Sequence, residues 1–401
     1  QRVLPEVPPY RIERLDFRTA PDAEAQLAQL RAERSHRVFD PASWPLFEIH
    51  AALLPDRIRL SVGIDLLIAD AAALITLFRE WGALYADPAS DLPPPRGRFA
   101  DHVRRLPAPS DRDRAYWEGR LDTLPPGPDL PRLPLDGPPR FSRRSIRLAA
   151  PSWRALKQAA AAQGITQSAL VATVFAEVLA AWSRRARFSL TLTQFGAPPD
   201  MQGVVGDFTA TVLLEVDTTP ATFRARAQAL QRRLLADLDH AGLSGVAVMR
   251  ELRRRRPEVE PVSVVFTSTL GHPGLDPDAP SPLAWLGRSV HAITQTPQVA
   301  MDHHVLEEDG ALVASWDVVE ALFPPGVLDG MVRAYGDLLD ALVEGRGWDG
   351  RIVDCLPRQA RAPLRPGPEP ALLQAGFERQ AALAPDRPAV IAPDRVLDYG
   401  S

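Results

Sequence analysis

The sequence predicts a mixed α/β protein arranged in two lobes, and three stretches of the chain carry that prediction. From Arg57 to Ile64, the residues Ile58, Leu60, Val62 and Ile64 alternate with Arg59, Ser61 and Gly63. A two-residue period of this kind marks a half-buried strand. Asp70 then precedes Leu74, Leu77, Phe78, Trp81 and Leu84 at helical spacing, where its carboxylate can cap a helix and face its positive end. The stretch Leu124 to Leu135 holds prolines at 125, 126, 128, 131 and 134, too many for a helix or a central strand. It is expected as an extended connector between lobes. Beyond it, Thr166 opens a second helix with Val171, Val174, Phe175, Val178 and Trp182 on one stripe, a core face with no need of a cofactor. The alternating Phe188, Leu190 and Leu192 follow, and strand and helix patterns interleave to about residue 345.

Composition excludes several classes. The chain has 401 residues, 45% of them apolar and 24% charged, which suits a soluble protein with one large core or two smaller ones. No run of about 18 apolar residues predicts a membrane span, and the start Gln1-Arg2-Val3-Leu4-Pro5 has no secretory leader, so a cytoplasmic protein whose beginning is cut is expected. The single cysteine, Cys355, has no partner for a disulfide or a thiolate zinc site. A net charge of −4 gives no general field for nucleic acid, and the basic run Arg253 to Arg256 is expected as a solvated helix end rather than a docking patch. His291, His303 and His304 have no further ligands at metal-like spacing, so no metal is expected there. Residues 358–370 are rich in Arg and Pro with few apolar anchors, as in a linker, and 371–401 are too few to fold alone.

A series of short motifs in fixed order resembles the condensation superfamily of non-ribosomal peptide synthetases, and within it the heterocyclization branch. Asp65 and Asp70 are similar to the first two members of the branch signature D-x-x-x-x-D-x-x-S. Tyr116-Trp117 and the proline connector resemble its L-P-x-x-P-x-L-P-L element, and Gly206-Asp207-Phe208-Thr209 its G-D-F-T element. Val265-Phe266-Thr267-Ser268 resembles F-T-S; Gln295-Thr296-Pro297-Gln298 with Asp302 resembles Q-T-P-Q-x-x-x-D. Trp316-Asp317 and Leu322-Phe323-Pro324 resemble the closing segments, and Phe377-Glu378-Arg379-Gln380 with Ala384 to Val390 looks like the opening of an adenylation domain.

The resemblance implies a two-lobe, V-shaped fold of the chloramphenicol acetyltransferase type. The first lobe would cover residues 1–140, incomplete at its beginning, and the second 141–357. A linker at 358–370 and the start of an adenylation domain at 371–401 would follow. It also implies chemistry: a carrier-bound acyl group is joined to carrier-bound Cys, Ser or Thr, and the amide is then cyclised with loss of water to a thiazoline or oxazoline. The expected partners are donor and acceptor carrier domains and the adjoining adenylation domain, with no nucleic acid and no membrane. No cofactor is expected on the domain itself, phosphopantetheine arriving on the carriers and ATP chemistry belonging to the adenylation domain. Cyclodehydration needs a positioned acid and base, which a buried carboxylate can provide. The resemblance places Asp302 in that role, with Thr267 as the hydroxyl that orients substrate or carboxylate. Gln295 and Gln298 would bond the carbonyl under attack, and Ser268, Asp207 and Thr209 would line the channel. Against this stands a plainer reading, in which an Asp beside a strand is a cap or an ion-pair partner. Asp65 and Asp70 are assigned mainly to the scaffold.

Four features keep other readings open. Leu66 stands where ordinary condensation domains, with H-H-x-x-x-D-G, carry a catalytic His; the later pair His303-His304 has the wrong spacing for that motif. Ala73 replaces the signature Ser. Thr193 to Pro198 lacks the Asn-Arg pair common ahead of G-D-F-T, and Ala300-Met301 replaces bulkier residues before Asp302. Condensation without ring closure, and a non-catalytic carrier-docking module of the same fold, are the alternatives.

Overall fold

In the computed structural model, which describes residues 2, 4–194, 197–271, 281–351, 386, 388–392 and 395–398, the chain opens with β1 (Glu13–Asp16), α1 (Ala23–Arg34), β2 (Phe47–Leu53) and β3 (Ile58–Ile64). These strands form one sheet, β1 parallel to β2 and β3 antiparallel to it. The predicted strand is present as β3, but its apolar row is only partly enclosed, and Ile58 is exposed. The most enclosed positions of this sheet lie on β2, at Glu48, His50 and Ala52. Arg34 and Arg37 pair with Glu48 at 2.9 and 2.8 Å, so this face is closed by charge as well as by apolar packing.

Helix α2 (Ala71–Ala86) begins where the sequence places it. Asp70 Oδ1 accepts the Ala73 amide at 2.8 Å. Two short helices follow, α3 (Phe99–Arg105) and α4 (Asp111–Glu118). Trp117 of α4 is buried and donates its indole N–H to the His240 carbonyl at 3.0 Å.

The proline-dense stretch forms no helix or strand, as expected, but it is strapped down rather than free. Prolines cannot donate, so their carbonyls accept instead. Pro126 accepts from the Ser189 amide at 2.8 Å, Pro125 from the Ser189 hydroxyl at 2.6 Å, and Leu124 from Arg256 at 2.8 Å.

The second sheet starts with β4 (Phe141–Leu148). After α5 (Ala150–Ala161) and α6 (Gln167–Trp182) come β5 (Arg187–Gln194), β6 (Ala210–Asp217), α7 (Phe223–Asp239), α8 (Gly245–Arg255), β7 (Val264–Ser268), β8 (Met301–Glu308), β9 (Ala311–Val319) and α9 (Val327–Val343). Strand order is β4-β9-β8-β7-β5-β6. The inner strands β8, β7 and β5 are parallel and the flanks antiparallel. Helix α6, capped by Thr166, is buried nearly all round, as a central core helix must be. Arg253 to Arg255 form the last turn of α8, where cations suit the helix dipole.

Two compact units result, residues 1–357 and 358–401. The second is described mainly as the antiparallel pair β10 (Pro388–Ala392) and β11 (Arg395–Asp398). Cys355, the expected linker 358–370, the Phe377–Gln380 element, and Phe195 and Gly196 of the departing stretch lie outside the described residues.

Candidate active site

The six-stranded sheet has one greasy face and one polar face, and strand alternation assigns each side chain. Phe175 of α6 packs against Phe266 of β7, His303 of β8 and Trp316 of β9, with ring centroids 6.1, 4.5 and 5.2 Å away. These residues therefore point into the helical core. Their neighbours Thr267, Asp302, His304 and Asp317 must point the other way, and the ladder sets them side by side. Thr267 pairs with His304 across β7 and β8, and Asp302 with Asp317 across β8 and β9.

Two buried carboxylates facing each other across a ladder repel unless cations or donors intervene. The structure resolves this asymmetrically. Asp317, fully buried, accepts from Arg143 of β4 through Nε at 2.7 Å and Nη2 at 2.5 Å, a bidentate pair. It also accepts from the Thr294 amide at 2.9 Å and hydroxyl at 2.5 Å. Asp302, 7% exposed, has lighter support: the Thr267 hydroxyl at 3.4 Å and His304 Nε2 at 3.2 Å. One carboxylate is thus saturated as a fixed anion. The other keeps unused acceptor capacity on the polar face, the condition for a group that must gain and lose protons.

Thr267 and Asp302, the pair expected from the sequence, are therefore brought together. Ser268 is not. One step along β7, it falls on the opposite face, where its hydroxyl lies 2.9 Å from that of Ser168 at the start of α6. Gln295 sends its amide to the Arg37 carbonyl at 2.8 Å, joining the Thr294 loop to the chain after α1. Gln298 is exposed and sits at φ 67, in the left-handed region. Asp207 accepts the Thr209 amide at 3.0 Å, an Asx-type turn, and Thr209 is exposed. Asp65 likewise holds the turn ahead of α2, accepting the Leu67 amide at 2.9 Å. Asp70 does more than cap. Its Oδ2 accepts the Phe208 amide at 3.3 Å while its own amide donates to the Gly206 carbonyl at 3.1 Å, tying α2 to the Gly206–Thr209 turn. Among the described residues no cluster of three or more His, Cys, Asp or Glu could hold a metal ion.

Four contributors escaped the sequence reading of the site: His304, Asp317, Arg143 and Thr294. His304 stands two residues after Asp302 on one strand, and that i, i+2 spacing is a legible signal of a shared face. Arg143 carries no such signal, since the ladder alone sets it opposite Asp317.

His303, on the core side, is fully buried, and burial holds its imidazole pKa down to about 3, below the usual 6.5. Its Nδ1 lies 3.2 Å from the Ser315 carbonyl. Between those two values the unfolded chain binds a proton that the folded one does not, so folding stability must fall as pH drops below 6.5. The expected loss from this residue between pH 7 and pH 5 is about 2 kcal/mol. Urea unfolding of the wild type and His303→Phe at both pH values checks it, the variant lacking that increment of acid sensitivity. Equal pH dependence in both proteins would refute the assignment.

The strand order, the helix-backed sheet and the carboxylate behind the Q-T-P-Q loop define a condensation-type domain, and residues 1–345 match the condensation-domain family, to which the chain belongs. Its relatives include phenyloxazoline synthase MbtB of Mycobacterium bovis, 38% identical over 95% of this chain and 28% of that protein. Pyochelin synthetase PchF of Pseudomonas aeruginosa is 35% identical over 97% of this chain and 22% of its own length. The cyclization-docking bidomain of the EpoB non-ribosomal peptide synthetase from Sorangium cellulosum superposes with a TM-score of 0.78 at 34% identity, covering 86% of this chain and 73% of that one. The chain thus spans between about a fifth and a third of the two synthetases. No helix among the described residues is long and apolar enough to cross a membrane.

Proposed function

We propose that residues 1–357 work as a heterocyclization domain in a cytoplasmic non-ribosomal peptide synthetase. In this reading the first lobe is 1–140 and the second 141–357, and a linker at 358–370 leads to the start of an adenylation domain at 371–401. Donor and acceptor carrier domains present their substrates as thioesters on phosphopantetheine arms. The observation that carries the reading is the asymmetry at the sheet: a saturated Asp317 beside an Asp302 that retains free acceptor capacity, with Thr267 alongside. The cyclization bidomain and the oxazoline synthase among the relatives support it.

The acceptor amine first attacks the donor thioester; a C–N bond forms, the C–S bond breaks, and the departing thiolate takes the proton. The acceptor's side-chain thiol or hydroxyl then adds to the new amide carbon. Asp302 takes the proton of that nucleophile and returns it to the carbonyl oxygen, which becomes a hydroxyl. In the last step Asp302 takes the proton of the ring nitrogen and delivers it to the hydroxyl, which leaves as water as the C=N bond forms and the C–O bond breaks. One water is lost and Asp302 ends as it began. Thr267 orients the carboxylate through the bond to Oδ1.

The test is a reaction between an acyl-loaded donor carrier and a cysteinyl acceptor carrier, with the acceptor-bound product weighed intact. A product lighter by one water than the linear amide is expected. Linear amide alone would leave only the condensation half, and no transfer with both carriers bound would leave a docking module.

A further inference from the structure

Asp302 has a second neighbour besides Thr267, and the proposed function gives it no task. Both Asp302 and His304 belong to β8 and share its polar face. His304 Nε2 lies 3.2 Å from Asp302 Oδ2, 3.1 Å from Thr294 Oγ1 and 3.7 Å from Asp317 Oδ2. Facing it are Thr267 across β7, Ser315 and Asp317 on β9, Thr294 from the loop ahead of β8, and Arg143 on β4, the last bound to Asp317. The tautomer follows from this arrangement. Thr294 spends its single hydroxyl hydrogen on Asp317 at 2.5 Å, so toward His304 it can only accept. Asp302 as a carboxylate can also only accept. Nε2 must therefore carry a hydrogen, shared between Thr294 and Asp302.

We infer that His304 is a positioning residue for Asp302, its Nε2–H holding Oδ2 while Thr267 holds Oδ1, so that the carboxylate is fixed in one rotamer on the polar face. The inference rests on Asp302 being the proton carrier of ring closure. A chain of contacts then runs Arg143, Asp317, Thr294, His304, Asp302, from a saturated ion pair to the working carboxylate. Each link has its hydrogen committed in one direction, which leaves Asp302 Oδ2 little freedom to turn away.

The role is separable from general packing. Gln reproduces an N–H near the position of Nε2 without the imidazole, whereas Ala removes it. Wild type, His304→Gln and His304→Ala are compared in the carrier-loaded reaction, with the rates of linear amide and of ring formation followed separately by intact mass and melting temperatures recorded in parallel. Loss of one hydrogen bond to a charged group predicts a fall of about 10- to 100-fold in ring formation for His304→Ala. Amide formation and melting temperature should be unchanged within about twofold and a few degrees, and His304→Gln should recover most of the ring-forming rate. Ring formation unaffected in His304→Ala overturns the inference. So does an equal fall in amide and ring formation, which indicates a structural role, or an equal loss in both variants, which indicates that the imidazole itself is needed. Failure of the wild type to form any ring overturns the proposed function first and this inference with it.

Discussion

Replacing Asp302 by Asn is expected to leave the fold and the linear amide intact and to reduce ring formation by at least 100-fold, the lower end of what a positioned acid and base contributes. The carboxamide has the same shape and still accepts from Thr267 or His304, so the polar face is not opened. It cannot take and return a proton near neutral pH. Condensation asks less of Asp302, because the amine attacks an activated thioester, whereas ring closure must expel a hydroxyl from a tetrahedral carbon. The two steps should therefore split. Intact mass of the acceptor-bound product over time, with a melting curve for each protein, measures both quantities. Normal ring formation in Asp302→Asn or Asp302→Ala would remove Asp302 from the chemistry and favour the plainer view of it as an ion-pair partner of His304.

Much of this site was legible in the sequence where the signal is local. The Asp70 cap, the α6 stripe opened by Thr166, the β5 alternation and the helix-end arginines are set by residues within a few positions of each other, and they appear where the pattern places them. Thr267 and Asp302 were marked by resemblance, and their contact depends on the parallel pairing of β7 with β8 across 35 residues. Other features were set by distant pairing that no local period reports. Asp70 meets the Phe208 amide 138 residues away, and Arg143 meets Asp317 across 174. His304 and Ser268 are different, because strand alternation alone separates Ser268 from Thr267 and joins His304 to Asp302. Matching His303-His304 against the H-H-x-x-x-D-G motif obscured that simpler signal. The apolar row of β3 is half-buried against Phe47, Ile49, Ala51 and Leu53 as its period predicts, whereas the most enclosed positions of the sheet lie on its other face, where Arg34 and Arg37 neutralise Glu48 through pairings no local period reports.

Asp317→Asn should be the most destabilising single change at the site, costing about 3 kcal/mol of unfolding free energy. Removing one partner of a buried ion pair costs roughly 3–5 kcal/mol, because the other charge is left without compensation. The lower figure applies here because the Arg143 side chain keeps 22% exposure and can recover some hydration. An asparagine can still accept from the Thr294 amide, but it cannot offer two anionic oxygens to the guanidinium fork. The prediction is specific to the pair. Adding Arg143→Leu removes the stranded charge, so the double variant should be more stable than the sum of the single effects allows, by more than about 1 kcal/mol in a double-mutant cycle. Urea midpoints at pH 7, with the slope checked for constancy, give all three values. Ring formation should fall in Asp317→Asn as well, since Thr294 loses the anion that fixes its hydroxyl and with it the direction of His304 Nε2–H. A loss below 1 kcal/mol with no coupling to Arg143 would mean that solvent already screens the pair, and Asp317 would then be no more than a strand residue beside the site.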